Sequence, residues 1–472
     1  MTAYSVVGLG KLGASMAAAV AGRGFDVVGV DVDKRAVDAL NAGQAPVQET
    51  GLAELIDANR ERLRATTSHE DAVRSVDVTF VVVPTPSEDD GAFSLKYVAA
   101  AFRELGRAIG AKDAYHLVVL TSTVLPGATR NGLLPILEEE SGKQCGSEFG
   151  LCYSPEFIAL GSVIRDFLNP DFLLIGESDQ RAGTMLEDSY RAIVQNAAPC
   201  RRMSFENAEL AKIALNSYVT TKITFANMLA DLCERIPGGD IDVVSDALGL
   251  DRRVGRAYLT GGLGYGGPCF PRDNLALAYF AELLGAKAEL PEATHAANER
   301  IADRVVERIG SLPSGTTVAV LGLAYKPFSN VVEESQGIAI ARRLAGRGVH
   351  VVCYDPLAAK NARAELNGAV NVVDSLELCL EAADVVVIAT PDPAFRKLTA
   401  ERLEQAGIRT VLDCWRILDA DVDSGSVAYV RLGRNEGDKD SRERLATRWR
   451  SPNAATAKFT ASSHYPDSAI GG

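Results

Sequence analysis

The sequence predicts an α/β protein with two Rossmann-like, doubly wound domains, joined by a long central helix and a helical region suited to dimerisation. Short β-branched runs alternate with helical patterns in the first part of the chain, and the same alternation returns in the last part. Between them, residues 204–236 contain neither Gly nor Pro. Continuous apolar strands separated by helices are typical of parallel sheets covered on both faces.

The individual elements are predicted from short apolar runs for strands and from 3.6-residue periodicity for helices. The first region contains YSVVGLG, FDVVGVDVD, DVTFVVVPT and HLVVLTST, with helices predicted over 11–23 and 95–109. The last region contains TTVAVLGLAYKP, VHVVCYDP, ADVVVIATPDP and TVLDCW, with a helix predicted over 336–345. The middle of the chain predicts a long helix over 204–236 and a further helical stretch over 293–311.

These elements divide the chain into four segments. They are a first doubly wound domain at 1–196, a central helical region at 197–312, a second doubly wound domain at 313–433, and a tail at 434–472. The central helix is longer than one core requires, so we expect its spare face to contact a partner subunit. The tail is polar, mixed in charge and rich in Ser, Thr and Ala, so we expect it to be disordered.

Composition excludes several classes of partner. Lys and Arg number 49 against 62 Asp and Glu, a formal charge of −13, whereas nucleic-acid-binding proteins present clustered positive charge. The apolar runs are too short to span a bilayer, and the N-terminus lacks the pattern of a signal peptide. The eight Cys form no C-x-x-C pair and no zinc-type spacing. We therefore expect a cytoplasmic protein with reduced thiols and no metal, nucleic-acid or membrane partner.

The segment GLGKLG follows the first predicted strand and opens a helix. Gly8, Gly10 and Gly13 have the G-x-G-x-x-G spacing, with Leu12 in the same loop, and Asp31 ends the next predicted strand. Missing side chains let a pyrophosphate approach the helix N-terminus, and the carboxylate accepts hydrogen bonds from the ribose of NAD while repelling the phosphate of NADP. This order of features favours an NAD site over glycines that serve packing alone.

Hydroxyl and carboxyl side chains follow three other predicted strands. Thr85 lies in VVVPTP, Thr123 in LTSTVLPG and Glu156 in YSPEF. Ligands of open α/β sheets bind beyond the carboxyl ends of strands, so the threonines are candidates to face the cofactor and Glu156 is a candidate acid/base. The spacing leaves two alternatives open. The threonine hydroxyls could serve only as hydrogen-bond partners for the backbone of their own turns, and Glu156 could be a solvated surface residue.

Lys212 and Asn216 are four residues apart on the predicted long helix and therefore share one face. If both point into a cleft, they can stabilise a developing oxyanion. From this pair alone, a solvated helix face is the favoured interpretation.

The segment GLGYGGPCFPRD (262–273) places Cys269 in what its glycines and prolines predict to be a loop, neither helix nor strand. Free backbone amides of such a loop can lower the pKa of the thiol, and Asp273 is a candidate orienting or acid/base group. Most single Cys residues, however, are small buried hydrophobic groups. Local chemistry supports a nucleophile and a packing residue equally.

Taken in order, these motifs resemble those of the UDP-glucose/GDP-mannose dehydrogenase family, the nucleotide-sugar 6-dehydrogenases. They are GLGKLG, GVDVD, LNAGQAPVQETGL, PTP, STVLPG, SPEF, RDFLNPDFLLIG, ELAKIALNSYVTTKI, GLGYGGPCFPRD and GLAYKP, and they extend to about residue 433. The resemblance implies oxidation of the C6 hydroxyl of a nucleotide sugar to a carboxylate with two NAD+, a second domain that binds the sugar nucleotide, and a homodimer. UDP-glucose is the favoured substrate, with GDP-mannose and UDP-N-acetylhexosamines as alternatives.

The resemblance also implies roles for individual residues. Cys269 matches the nucleophile that forms a thiohemiacetal and then a thioester, the chemistry that carries an aldehyde to an acid. Lys212 and Asn216 match the pair that holds the C6 oxygen, Asp273 the partner of a bound water, Glu156 the acid/base, and Thr123 the hydroxyl beside the nicotinamide. The implied substrate-binding residues are Phe157, Lys212, Asn216, Arg253 (which reaches the neighbouring subunit's substrate), Tyr265, Gly266 and Lys326.

Five positions depart from the family pattern: Leu160 where a second glutamate is usual, Phe172 and Glu333 where arginine is usual, Pro268 where serine is frequent, and Arg272 where lysine is frequent. They indicate a divergent subgroup with altered contacts to the sugar or the cofactor. Two rival interpretations are a two-electron β-hydroxyacid dehydrogenase, which has a similar cofactor loop, and a non-catalytic nucleotide-sugar-binding protein. The first leaves the second domain unexplained, and the second leaves the retained catalytic set unexplained.

Overall fold

The computed structural model of the protein describes residues 2–158, 161–419, 422, 426–435 and 439–450. Its first sheet contains eight strands: β1 (Tyr4–Val7), β2 (Val27–Val30), β3 (Leu63–Thr66), β4 (Val78–Val81), β5 (His116–Leu120), β6 (Phe149–Tyr153), β7 (Leu173–Glu177) and β8 (Cys200–Met203). They lie in the order β3-β2-β1-β4-β5-β6-β7-β8, the Rossmann order extended by two strands. The predicted doubly wound fold is confirmed.

Helices cover both faces of this sheet. They are α1 (Lys11–Gly22), α2 (Lys34–Asn41), α3 (Leu52–Ala58), α4 (His69–Ser75), α5 (Lys96–Gly110), α6 (Leu134–Ser141), α7 (Val163–Leu168) and α8 (Gln180–Ile193), with a π-helical turn at Ala128–Leu133. One apolar cluster contains the buried residues of α1, and a second, on the opposite face, contains those of α5. The continuous apolar runs thus become strands buried on both faces.

Two features of the first sheet differ from the prediction of a parallel sheet ending near residue 196. β6 and β7 pair antiparallel, so β7 and β8 run against the other strands. The connection from β6 enters β7 at the edge of the sheet where β6 ends, without crossing a face of the sheet. The pattern of apolar residues does not show the direction of a strand, so the sequence did not predict this reversal. The sheet also continues to Met203, because β8 pairs with β7.

The central region consists of five helices. They are α9 (Phe205–Arg235), α10 (Ile241–Gly249), α11 (Phe270–Leu283), α12 (Glu289–Glu299) and α13 (Ile301–Ile309). The long helix is confirmed, and the side chain of Ser204 caps it by accepting from the Asn207 N–H. The helical stretch expected over 293–311 is two helices that meet at Arg300.

The segment 262–273 is a loop only as far as Cys269. Helix α11 begins at Phe270, so the prediction of neither helix nor strand is wrong for its last four residues. Pro271 lies in the first turn of α11, where a missing N–H costs no intrahelical hydrogen bond. The proline that suggested a loop is therefore a helix-start residue.

The second sheet has six strands, all parallel: β9 (Thr317–Leu321), β10 (His350–Tyr354), β11 (Asn371–Val372), β12 (Val385–Ile388), β13 (Thr410–Asp413) and β14 (Ala428–Arg431). They lie in the order β11-β10-β9-β12-β13-β14. The helices around it are α14 (Gln336–Gly346), α15 (Ala359–Leu366), α16 (Leu376–Glu381) and α17 (Ala400–Gln405), with a 3₁₀ turn at Phe395–Lys397. The second Rossmann-like region is confirmed.

The prediction of a disordered tail from 434 onward is wrong for two segments. Arg434 forms an ion pair with Asp240 at 2.9 Å, and the Asn435 N–H donates to the Gly239 carbonyl at 3.0 Å. Helix α18 spans Lys439–Arg450, where Arg, Glu, Leu and Ala supply high helix propensity despite the polar composition. Residues 451–472 lie outside the described residues. Among the described helices, none has the length and apolarity needed to cross a membrane.

Candidate active site

The glycine-rich loop between β1 and α1 combines tight packing with one open position. Gly8 has φ +98°, and a Cβ there would lie 2.4 Å from the Val82 carbonyl oxygen; a Cβ on Gly13 would lie 1.8 Å from the Gly8 oxygen. At Gly10 nothing lies within 4 Å of an added Cβ. This open space at the N-terminus of α1 suits a pyrophosphate. Packing therefore explains Gly8 and Gly13 but not Gly10.

Asp31 follows β2 and organises the same loop. Its Oδ2 accepts a hydrogen bond from the Leu9 N–H at 2.6 Å, and its Oδ1 accepts one from the Asp33 N–H at 2.8 Å. Leu12 packs against the apolar cluster beneath the loop. Asp31 therefore fixes the loop from the end of β2, the position from which a carboxylate binds the ribose of a dinucleotide.

Thr85 and Thr123 are brought together beyond β4 and β5. The Thr85 hydroxyl donates to the Thr123 carbonyl at 2.7 Å. Arg272 of α11 donates from Nη1 to the Thr85 carbonyl at 3.0 Å, and its guanidinium lies 4.4 Å from the centre of the Phe93 ring. The arginine that departs from the family pattern thus joins the two threonine loops to the helix that follows Cys269.

Lys212 and Asn216 are buried, each about 7% exposed, so the solvated helix face is excluded. The Lys212 ammonium donates to the Glu156 carbonyl at 2.7 Å. The Asn216 amide donates to Oδ2 of Asp273 at 2.6 Å. Burial lowers the pKa of Lys212, and the negative charge of Asp273 is the largest effect opposing that shift. The pair predicted to share a face is therefore a buried polar cluster with Asp273.

Glu156 and Phe157 lie in the loop after β6, facing α9. Desolvation raises the pKa of Glu156 to about 7, against a smaller opposing effect of the Lys212 charge. The Lys212 ammonium lies 4.6 Å from the centre of the Phe157 ring, which packs on Phe172 with ring centres 4.7 Å apart. Phe172, where the family usually has arginine, therefore extends an aromatic wall beside Lys212 rather than adding a second cation.

Cys269 immediately precedes α11, and part of the residue is exposed to solvent while the rest is surrounded by protein. Desolvation raises the pKa of Cys269, and the charge of Asp273 raises it further, so the loop amides do not decide the direction of the shift. Arg272 and Lys212 oppose this rise. Pro268 has no N–H, so the residue before the thiol offers no amide to a thiolate. The thiol is thus accessible, and its surroundings favour the protonated form.

Two buried asparagines that sequence reasoning missed hold the backbone of the loop before Cys269. Asn227 of α9 accepts from the Gly262 N–H at 2.8 Å and donates to the Leu263 carbonyl at 3.1 Å. Asn298 of α12 accepts from the Tyr265 N–H at 2.9 Å and donates to the Tyr265 carbonyl at 3.0 Å. Unpaired buried backbone groups are costly, so these amides stabilise an otherwise irregular loop. The sequence could have indicated these two residues only as asparagines within predicted helices, where a non-polar residue is usual on the buried face.

The same loop contacts the second sheet's region. The Gly267 N–H donates to the Glu333 carbonyl at 3.0 Å, and a Cβ on Gly266 would lie 2.1 Å from the Glu334 carbonyl. Gly266 is therefore required for the approach of the two backbones. The Tyr265 hydroxyl accepts from the Asn274 amide at 2.9 Å. Glu333 takes part in this contact through its backbone carbonyl, which accepts the hydrogen bond from the Gly267 N–H.

Lys326 approaches from the loop after β9. Desolvation lowers its pKa, and the charges of Asp166, Glu49 and Cys269 oppose this shift. Glu49, also missed by sequence reasoning, accepts from the Gly161 N–H at 3.1 Å. It therefore links the loop after β6 to the electrostatic surroundings of Lys326.

Of the remaining positions, Arg253 lies away from this cluster, and Leu160 lies outside the part of the chain that the structure describes. Arg253 is exposed and forms an ion pair with Asp251 at 2.6 Å. Its predicted contact with a neighbouring subunit stays a prediction.

Comparison with known proteins identifies all three parts of this architecture. Residues 2–194 match the NAD binding domain of the UDP-glucose/GDP-mannose dehydrogenase family, residues 206–300 its central domain, and residues 319–420 its UDP binding domain. The UDP-glucose 6-dehydrogenase AglM of Haloferax volcanii is 38% identical over 88% of this chain and 96% of its own. The GDP-mannose 6-dehydrogenase of Pseudomonas putida is 33% identical over 84% of this chain and 93% of its own.

A solved structure is similarly close. A UDP-glucose dehydrogenase from the archaeon Pyrobaculum islandicum superposes with a TM-score of 0.83 at 39% sequence identity. The match covers 92% of this chain and 98% of that one. The similarity therefore extends over both sheets and the helices between them.

Proposed function

The chain belongs to the UDP-glucose/GDP-mannose dehydrogenase family and is an NAD-dependent nucleotide-sugar 6-dehydrogenase, and we propose that its substrate is UDP-glucose, oxidised to UDP-glucuronate. The observation that carries the two-step oxidation of an alcohol to an acid is the cluster of Lys212, Asn216 and Asp273 next to the accessible thiol of Cys269. UDP-glucose is favoured because the UDP-glucose dehydrogenases of Haloferax volcanii and Pyrobaculum islandicum are 38% and 39% identical to this chain, against 33% for the GDP-mannose 6-dehydrogenase of Pseudomonas putida.

The cofactor fits the loop between β1 and α1. Gly10 leaves room for the pyrophosphate, Asp31 is positioned for the ribose, and Thr85 and Thr123 border the space beyond β4 and β5. Bound NAD+ accepts the hydride that leaves C6 in each of the two oxidations. The residues of the chain supply everything else: orientation, proton transfer and the nucleophile.

In the first oxidation, Lys212 and Asn216 hold the C6 oxygen and stabilise the negative charge that develops on it. The hydroxyl proton passes to the Asp273 carboxylate through a water. The hydrogen bond from the Asn216 amide to the Asp273 carboxylate holds the two side chains in a fixed relative position during this transfer.

In the second oxidation, Cys269 forms a bond from Sγ to C6 of the aldehyde, and the thiol proton moves to the former carbonyl oxygen. Desolvation raises the pKa of the thiol, so its proton leaves as the C–S bond forms, and the nearby charges of Arg272 and Lys212, which oppose that rise, stabilise the negative charge that develops. Loss of the second hydride leaves a thioester. A water activated by the Glu156 carboxylate cleaves the C–S bond, releasing the acid and the thiol.

The test is to incubate the purified protein with NAD+ and separate UDP- and GDP-sugars, counting NADH formed per sugar acid. We expect two NADH per acid and the highest kcat/KM with UDP-glucose. Preference for GDP-mannose or a UDP-N-acetylhexosamine would overturn the substrate assignment. One NADH per product, with no acid formed, would overturn the four-electron mechanism itself.

The pKa of Glu156 gives a pH prediction. Below about pH 7 the carboxyl holds its proton and cannot activate water, and above that pH it is ionised and can. Thioester hydrolysis should therefore rise with pH through an apparent pKa near 7. Glu156→Gln should lower kcat about 10²–10⁴-fold, remove this inflection and accumulate the acyl-enzyme, detected by mass spectrometry after acid quench. An unchanged inflection in this variant would exclude Glu156 as the base.

We infer that the protein forms a homodimer through α9. Apolar side chains remain exposed along this helix at spacings of three, four and seven residues, which place them on one side: Tyr218, Phe225, Met228, Leu232 and, just beyond the helix end, Ile236. Val243 and Leu250 of the adjoining segment are also exposed, at 66% and 86%. Contiguous exposed apolar side chains are typical of an interface with another subunit.

This interface is tested by Met228→Glu, which would bring two carboxylates into an apolar two-fold contact. We expect the dimer to dissociate into monomers, measured by light scattering after gel filtration. Leu357→Glu, on an exposed leucine of the second sheet's region, is the matched control and should leave the mass unchanged. A Met228→Glu variant that keeps the mass of the unmodified protein would exclude this face.

A further inference from the structure

Lys11 is the first residue of α1 and directly follows Gly10, whose open space faces the helix N-terminus. The first turn of α1 contains no acidic residue. Among the described residues, the Lys11 ammonium has no ion-pair partner. It donates instead to a neutral oxygen, Oδ1 of Asn330, at 3.0 Å.

This arrangement is electrostatically unfavourable on its own. The N-terminus of a helix carries a partial positive charge, which repels a cation in the first turn. No carboxylate in this turn offsets that repulsion, and the hydrogen-bond partner of the ammonium is a neutral amide. The charge becomes favourable when an anion occupies the space at Gly10.

Asn330 lies in the connection between β9 and α14, across from the cofactor loop. The Asn361 amide donates to the Asn330 carbonyl at 2.7 Å, which fixes its backbone to α15. The same connection includes Glu333, whose carbonyl accepts from the Gly267 N–H two residues before Cys269. Asn330 therefore holds the Lys11 ammonium from an element that also touches the nucleophile's loop.

We propose that Lys11 is a binding residue for the cofactor's pyrophosphate, and that Asn330 is a positioning residue that holds its ammonium in place across the cleft. The proposal rests on the NAD site of the proposed function. Asn330 reduces the rotamer freedom that the lysine loses on binding the anion, so it strengthens binding without touching the cofactor. Cofactor affinity is thus linked to the β9–α14 connection.

The test is isothermal titration calorimetry of the full chain with ADP-ribose, which carries the pyrophosphate, and with adenosine, which does not. Lys11→Met should weaken ADP-ribose binding about tenfold, the expected loss of one charge-assisted contact, and flatten its dependence on salt. Adenosine binding should stay within about twofold. Lys287→Met, a lysine on the exposed connection between α11 and α12, is the matched control and should bind ADP-ribose normally.

Asn330→Ala should weaken ADP-ribose binding about threefold in the unmodified protein and have no effect in the Lys11→Met background, since the two residues act through one contact. ADP-ribose affinity unchanged in Lys11→Met would overturn the proposal. Equal effects of Asn330→Ala in both backgrounds would overturn the link between the residues. These titrations measure cofactor binding without turnover. Their result therefore tests this proposal even if the sugar-oxidation assay contradicts the proposed substrate.

Discussion

Replacing Cys269 with Ala should abolish net formation of the sugar acid, lowering the steady-state rate by about 10³–10⁶-fold. The alanine variant retains Lys212, Asn216 and Asp273, so it can still take the alcohol to the aldehyde. It lacks the atom to which C6 must bond before the second hydride can leave. Single-turnover measurements should then show one NADH per active site and no acid, whereas the unmodified protein forms two NADH per acid.

Two further variants separate nucleophilic chemistry from loss of structure. Cys145→Ala removes a half-buried thiol from the connection between α6 and β6 and should retain full activity and an unchanged melting temperature. Cys269→Ser should remain nearly as inactive as Cys269→Ala, because its hydroxyl is a poorer nucleophile and leaving group than a thiol. ADP-ribose affinity should be unchanged in both Cys269 variants. Acid production by Cys269→Ala at the rate of the unmodified protein would refute the covalent route.

Both sheets were predictable from the sequence because buried parallel strands are continuous apolar runs, and GLGKLG marks the turn that opens the first. The direction of β7 was not predictable, because a buried strand has the same pattern of apolar residues whichever way it runs. Helix α18 was not predicted either. Its polarity indicated disorder, whereas its propensity favours helix.

The site shows the same division between local and long-range information. The spacing of Lys212 and Asn216 predicts a shared helix face, but their burial depends on α11 and on the loop after β6. Asn216 and Asp273 are 57 positions apart, and no local pattern links them. The direction of the pKa shift of Cys269 was not predictable for the same reason. Loop composition suggests amides near the thiol, whereas desolvation by the folded cleft decides the shift.

Replacing Lys212 with Met should lower kcat about 10²–10³-fold with little change in KM, the expected result of removing an oxyanion donor that acts mainly in the transition state. Methionine keeps an apolar stem against Phe157 while deleting the ammonium that donates to the Glu156 carbonyl. Stopped-flow NADH formation should be slow in both oxidations, because the C6 oxygen carries negative charge in each. This distinguishes Lys212 from Cys269, whose loss affects only the second.

Because Lys212 is buried and bonded, its replacement must be separated from unfolding. Lys397→Met deletes an equal charge from the exposed 3₁₀ turn of the second sheet's region and should leave kcat unchanged. Lys212→Arg keeps the charge but moves the donors, so it should restore the melting temperature more fully than kcat. If Lys212→Arg recovers both to the same extent, Lys212 serves packing rather than the oxyanion. A kcat for Lys212→Met within about threefold of the unmodified protein would likewise place the oxyanion donor elsewhere, leaving Asn216 as the residue to replace next.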